Sequence, residues 1–254
     1  MGARGSSTSS LEEEILSREW FYEFTLPSGR KTKIYIPEEV HRIHTTRLDM
    51  MFSVLDPLIG KDWAKTTCID FASHEGYYAY HLARKCKQVV GIDFQEDHIR
   101  SANLIKQVYG MQNMEFVLAN LASFDVSKIQ PADVVNVFGL LYHLEDPVGV
   151  MRRARRLTKR VMLVETQTTI LDLTGRIDSG YHLWSNQIEG IFGICPGALG
   201  PGGAATDITL YPSPRGLVWI MNRLGFSRVE VVPPPEGAFE QLATGKRMMV
   251  AGYV

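Results

Sequence analysis

Residues 66–84, TTCIDFASHEGYYAYHLAR, pass from an apolar run that ends at Asp70, through a short loop with a single glycine, into a helical pattern. A short apolar run bounded by a turn and followed by a helix-forming stretch reads as the first half of a βα unit. The rhythm repeats downstream. QVVGIDF reads as a second strand, Glu96 to Tyr109 as a helix and MEFVLAN as a third strand; ADVVNVFG is a fourth, Pro147 to Leu157 a helix and RVMLVETQ a fifth. Continuously apolar strands alternating with helices predict a parallel sheet covered on both faces. Near the end, SPRGLVWIMNRLGF reads as a helix stopped by Gly225, followed by the strand SRVEVV, a loop PPPEGAFEQLATG and a last strand KRMMVAGYV. Two strands with no helix between them pair antiparallel or part company. The expected fold is therefore α/β, a Rossmann-like doubly wound sheet, mostly parallel, with an antiparallel C-terminal strand.

Upstream the pattern differs. EWFYEFTLPSGRKTKIYIP alternates apolar and polar residues on both sides of PSGR, a hairpin signal. A helix over 38–59 follows, with Ile43, Arg47, Met50 and Met51 three or four apart on one packing face. The organisation expected is a disordered leader over 1–10, an N-terminal hairpin and lid helix over 11–62, and a main domain over 63–254 with an insertion at about 168–210. The chain has 254 residues, 45% of them hydrophobic, and a net charge of −1, which gives no global attraction to polyanions. No apolar run approaches the roughly 18 residues of a membrane span, and MGARGSSTSSLEEE lacks an apolar signal core, so a cytoplasmic protein is expected. The three cysteines, Cys68, Cys86 and Cys195, are widely spaced and contain no C-x-x-C, so reduced thiols and no metal site are expected.

From Asp70 to Val254 the sequence resembles the class I S-adenosylmethionine (SAM) methyltransferases, and in detail the branch that holds the tRNA wobble-uridine 5-oxyacetic-acid methyltransferases and small-molecule relatives. CIDFASHEGYYA, VVGID, VFGLLYHLEDP, LVET and LYPSPRGLVWIMNRLGF carry the resemblance by their order and spacing. It implies SAM as cofactor, bound beyond the carboxyl ends of the strands. Asp70 and the helix start after Gly76 would meet the methionine end, with Ala72 and His74 in the same loop. Asp93 would accept both ribose hydroxyls, Phe94 would cover the adenine, and Asn120 and Leu121 would read and line it. Phe138 and Gly139 complete the cofactor set. The usual loop has glycines where this chain has Ala72 and His74, and Glu75 adds a further ionisable group. Ordinary SAM binding, a carboxylated SAM and a decayed site all remain open on that ground.

The catalytic candidates are His143 and Tyr142 in YHLEDP. His143 is either a general base or a structural residue of a turn in which Asp146 caps the next helix and Pro147 opens it. MRRARRLTKR, with six basic residues in ten, reads either as an RNA-binding face or as the solvated side of a crossover helix whose Met151, Ala154 and Leu157 face the sheet. The insertion holds Tyr181, His182, Trp184 and Asn186, followed by a Gly/Pro-rich run from Gly193 to Gly203 that reads as a flap. With His41, His44 and Arg47 of HRIHTTR, these residues are the expected acceptor wall. The expected activity is methyl transfer to an O, N or activated C nucleophile of a small polar or aromatic metabolite, without a membrane. A tRNA acceptor, a non-catalytic nucleotide-binding module and a homodimer are kept as alternatives.

Overall fold

A computed structural model of the chain describes residues 3–178, 185–197 and 206–254. The fold forms two compact units, Met1–Phe124 and Asp125–Val254. In the first, the strands β1 (Thr67–Phe71), β2 (Gln88–Asp93) and β3 (Met114–Leu118) pair in parallel, in that order. Cys68, Ile69 and Phe71 are buried in succession along β1, as a strand covered on both faces requires. In the second unit β4 (Ala132–Phe138) pairs parallel with β5 (Thr158–Gln167). The strands β6 (Arg228–Val232) and β7 (Arg247–Tyr253) pair antiparallel with each other, and β7 with β5. The strand order is β1-β2-β3 in the first unit and β6-β7-β5-β4 in the second, parallel strands with an antiparallel C-terminal strand as expected from the sequence.

The helices are α1 (Ala3–Leu16), α2 (Glu38–Ile59), α3 (Tyr77–Ala83), α4 (Glu96–Val108), α5 (Pro147–Arg156), α6 (Pro214–Arg223) and a single turn α7 (Glu240–Ala243). On α2, Ile43, Arg47, Met50 and Met51 are all buried, the face that the spacing predicts. Asp146 caps α5 by accepting from the Gly149 N–H at 2.7 Å, and Pro147 opens the helix. Met151, Ala154 and Leu157 are buried. Arg155 of the basic run is a structural residue: its Nη2 donates to the Gly225 carbonyl and its guanidinium lies over the Phe226 ring.

Four sequence expectations differ from the structure. The expected leader carries α1, anchored where Ile15 is buried and Glu12 accepts from the Ser28 N–H and Arg30. The expected hairpin has one antiparallel bridge, Thr25 to Lys31, while Glu19–Trp20 and Lys33–Ile34 pair in parallel. Burial decides this arm rather than a ladder: Trp20, Tyr22, Phe24 and Leu26 are all buried, and Thr32 Oγ1 accepts from Phe24 N and donates to the Tyr22 carbonyl. The loop between β6 and β7 contains α7. In the expected flap, Gly193–Pro196 belongs to a strand, Phe192–Pro196, paired antiparallel with Ile208–Pro212. A Cβ on Gly193 would come within 2.9 Å of Thr169 Cγ2, so this glycine serves close packing; residues 198–203 lie outside the described residues. No helix among the described residues is long and apolar enough to cross a membrane.

Candidate active site

In the first unit the site is built on the carboxyl ends of β1 and β2. The loop after β1 keeps a glycine-type backbone without the glycines: Ala72 has φ 57° and His74 φ 50°. Each left-handed residue with a Cβ costs about 1–2 kcal/mol, so the loop shape is retained against its local preference. Gly76 follows with φ 80°, and a Cβ there would meet Phe116 at 2.8 Å.

Asp70, 1% exposed, is the penultimate residue of β1, and its Oδ2 is bonded to nothing among the described residues. Burial lifts its pKa to about 8, against a bond from the Ala79 N–H, and the nearby Asp93 adds to the lift. Asp93, 4% exposed, is the opposite case. Its Oδ2 accepts from His74 N at 2.9 Å; its Oδ1 accepts from Gln95 N at 3.0 Å and from His98 Nδ1 at 3.1 Å. Burial raises this carboxyl, but those bonds outweigh it and hold the pKa below the ordinary range. The His74 ring stacks on His98 at 3.5 Å.

Glu75 turns away from this site. It accepts from Phe21 N at 3.0 and 3.1 Å and from Tyr22 N at 3.1 Å, tying the N-terminal arm to the loop, and burial raises its pKa to about 7. Phe94 is 44% exposed. Leu121 is buried, whereas Asn120 is exposed and its Oδ1 accepts from Ala122 N, which commits that oxygen to a turn. Of the acceptor-wall residues, His44 and Arg47 are buried. His44 packs on Phe21 at 4.9 Å and Tyr22 at 4.4 Å, while His41 Nε2 accepts from Glu23 N. His44 thus packs against the inside of the arm, and His41, half-buried, borders it. Tyr181, His182 and Trp184 lie outside the described residues, as does the Asn186 side chain.

In the second unit, Phe138 ends β4 buried, and the Gly139 N–H donates to the Glu165 carbonyl at 2.9 Å. The turn Leu141–His143 follows. Tyr142 Oη accepts from Arg247 Nη2 at 2.8 Å, and Arg247 Nε donates to Glu165 Oε1 at 2.7 Å. Arg247 and Glu165 are 3% and 0% exposed. The Tyr142 ring lies 4.3 Å from His143 and 5.8 Å from Tyr211. Burial, with the Arg247 charge second, pushes the His143 imidazole down to about 4, so at neutral pH it is uncharged and a weak base. An NMR pH titration of the His143 ring should give an inflection near pH 4; one near the ordinary histidine value of about 6.5 would contradict this environment.

Glu165 and Arg247 had no place among the candidates read from the sequence. The signal was present: an acid inside the apolar run RVMLVETQ and a base opening the strand RMMVAGYV, charges that a buried sheet holds only as partners. Among the described residues no group of side chains is arranged to hold a metal ion.

A family described as a methyltransferase domain matches residues 63–189, half of the chain. The chain belongs to this methyltransferase family. Ubiquinone biosynthesis O-methyltransferase of Vibrio vulnificus (strain YJ016) is 27% identical over 120 residues, 47% of this chain and 48% of that protein. A 23S rRNA (uracil(747)-C(5))-methyltransferase, RlmC, of Vibrio vulnificus (strain CMCP6) is 36% identical over 62 residues, 24% of this chain and 16% of that protein. The chain thus spans about half the length, or less, of these curated relatives. Among solved structures, the N-terminal domain of EvdMO1 with SAH bound is 17% identical with a TM-score of 0.71, covering 100% of this chain and 98% of that one. Magnesium protoporphyrin IX methyltransferase (ChlM) of Synechocystis PCC 6803 with bound SAM is 13% identical with a TM-score of 0.55, covering 86% and 84%. Both likenesses are of fold: a class I methyltransferase sheet.

The methyl donor of this methyltransferase class is SAM, and the first unit fits it. A buried carboxylate with an uncommitted oxygen is the complement of the ammonium at the methionine end, because that cation supplies both the missing donor and the charge that offsets burial. Asp93, already ionised, is the complement of a ribose hydroxyl.

Proposed function

We propose that the chain transfers the methyl group of SAM to an oxygen, nitrogen or activated carbon nucleophile of a small polar or aromatic metabolite. The observation that carries this reading is the pair of buried carboxylates at successive strand ends, Asp70 with an uncommitted oxygen and Asp93 held ionised. When bound, the donor supplies an electrophilic methyl group, so the chain has to orient two ligands, exclude water and deal with one proton. Asp70 binds the ammonium and Asp93 the ribose; Phe94, with 44% of its surface accessible, covers the adenine. In the second unit Phe138 ends β4 and Gly139 follows it, the two positions that the family resemblance assigns to cofactor contact.

Tyr142, His143, Tyr211 and Arg247 give the second unit a cluster of aromatic and polar side chains suited to an aromatic or oxygen-bearing acceptor. The Tyr142 oxygen accepts from Arg247, which leaves its own proton to be donated. His143, held neutral, orients the turn and does not serve as a strong base, so the acceptor that suits this site is one that ionises readily or loses its proton after transfer. The name of the ubiquinone-pathway relative, an O-methyltransferase, supports an oxygen acceptor. A carbon-5 pyrimidine mechanism through a cysteine adduct has less support: Cys195 lies in the strand Phe192–Pro196 rather than in the turn after β4. A carboxylated donor would ask for a further cation, and in Arg247 both Nε and Nη2 are already committed.

The test is incubation of the purified protein with methyl-tritiated SAM and a cell extract, then separation of small molecules from RNA. Label in the small-molecule fraction is the expected result. Label confined to RNA would overturn the acceptor class, and no label in any fraction, with SAH binding retained, would indicate a nucleotide-binding module without catalysis.

A further inference from the structure

Asp93 is more heavily engaged than a ribose-binding carboxylate that takes both hydroxyls can be. A carboxylate offers about four lone-pair directions, two on each oxygen. Oδ1 already accepts two bonds, from Gln95 N and His98 Nδ1, and is full; Oδ2 accepts one, from His74 N. Two of these donors are backbone N–H groups fixed by the loop after β1 and the start of α4. The third, His98, is a side chain held in place: it sits in the first turn of α4 (Glu96–Val108), its side chain is 13% exposed, and the His74 ring stacks on it at 3.5 Å. His74 itself occupies a left-handed position, φ 50°, in the loop.

We propose that His98 is a specificity-determining residue of the cofactor site: by filling Oδ1 of Asp93 it leaves the carboxylate a single position, on Oδ2, for the ribose diol. Asp93 then binds one of the two hydroxyls, and the other is not recognised by this carboxylate. The inference rests on the methyltransferase reading of the first unit, and it differs from the expectation that Asp93 accepts both hydroxyl protons. His98 is a positioning residue, since it acts through Asp93.

The test is isothermal titration of the full chain with SAH, 2′-deoxy-SAH and 3′-deoxy-SAH. For the wild type, one monodeoxy analogue should bind about 10-fold or more weaker than SAH and the other within about threefold, the scale of one hydrogen bond to a charged group gained or lost. In His98→Ala, Oδ1 opens, and both analogues should then bind about fivefold or more weaker than SAH. His98→Gln, whose amide can again donate to Oδ1, should restore the one-sided pattern. A merely structural role for His98 would change overall affinity or melting temperature without changing which hydroxyl counts. Equal losses for both analogues in the wild type, or no loss for either, would overturn the inference while leaving SAH binding intact. Absence of SAH binding altogether would remove the methyltransferase reading with it. Should His98→Ala fail to fold, the wild-type comparison alone decides.

Discussion

Arg247→Met should destabilise the protein by about 3–5 kcal/mol, the cost of leaving one member of a buried ion pair without its partner. Glu165 is fully buried in β5, and its Oε1 takes the Arg247 Nε–H at 2.7 Å from the antiparallel strand β7, where Arg247 lies opposite Gln167 and Met249 opposite Glu165. Without the guanidinium, the carboxyl must either stay charged in an apolar sheet or take up a proton, and the Tyr142 hydroxyl loses its donor. The midpoint of urea unfolding is the measurement. Arg247→Met combined with Glu165→Leu should recover most of the loss, because replacing both members of a buried pair by apolar residues of similar volume is close to neutral or stabilising. A loss below about 1 kcal/mol in the single variant would mean that the pair does not hold this end of the sheet together.

The second large effect is a fall in stability with rising pH, set by Asp70 and Glu75. Both carboxyl groups are raised in the folded protein, Asp70 from 3.8 to about 8 and Glu75 from 4.5 to about 7, in each case chiefly by burial. The unfolded chain releases these protons near pH 4 and the folded chain only near pH 7 to 8, so between those limits the folded state binds more protons at these two groups. Below about pH 6.5 the half-buried His143 and His81, both held down to about 4, add stability as pH rises and offset the two carboxyls; above it only the carboxyls titrate, and stability of the ligand-free protein falls as pH rises from about 6.5 to 8. At about 1.4 kcal/mol per unit, the Asp70 shift from 3.8 to about 8 sets an upper bound of roughly 6 kcal/mol. Thermal melts at pH 6.5, 7, 7.5 and 8 should show the fall, and Asp70→Asn, which has no proton to lose, should flatten most of it. The same group links pH to ligand binding: an ammonium prefers the ionised carboxylate, so SAH affinity should rise between pH 6 and 8 in the wild type and stay level in Asp70→Asn. A melting temperature that climbs over this range, or the same slope in both proteins, would contradict the buried protonated carboxyl.

Much of this architecture is legible in the sequence because the signals that encode it are local. The run CIDF buries on both faces and can only be an interior strand; Asp146 and Pro147 start a helix by capping chemistry that two residues specify. Asp70 and Asp93 are marked by their place at the ends of apolar runs, which a parallel sheet turns into a place beside the ligand crevice. The features that escaped are those in which distant residues meet. Nothing in EWFYEF announces that Phe21 and Tyr22 donate to Glu75, fifty-odd residues away, or that the arm forgoes a full hairpin ladder to bury Trp20, Tyr22 and Phe24. Glu165 and Arg247 stand 82 positions apart and show their purpose only when β5 and β7 pair. His98 is an unremarkable surface position in a helical pattern until the Asp93 carboxylate is seen to lie within 3.1 Å of it.

The central claim is that the first unit binds the methyl donor through the carboxylate at the end of β2. Its most direct test is calorimetric titration of SAH into the wild type and into Asp93→Ala at pH 7.5, with a thermal melt to establish that the variant is folded. The account predicts saturable one-site binding to the wild type and a loss of about 1.5–3 kcal/mol in the variant, the value of a hydrogen bond to a charged group. Equal affinities in the two proteins, or no saturable binding to a folded wild type, would contradict it.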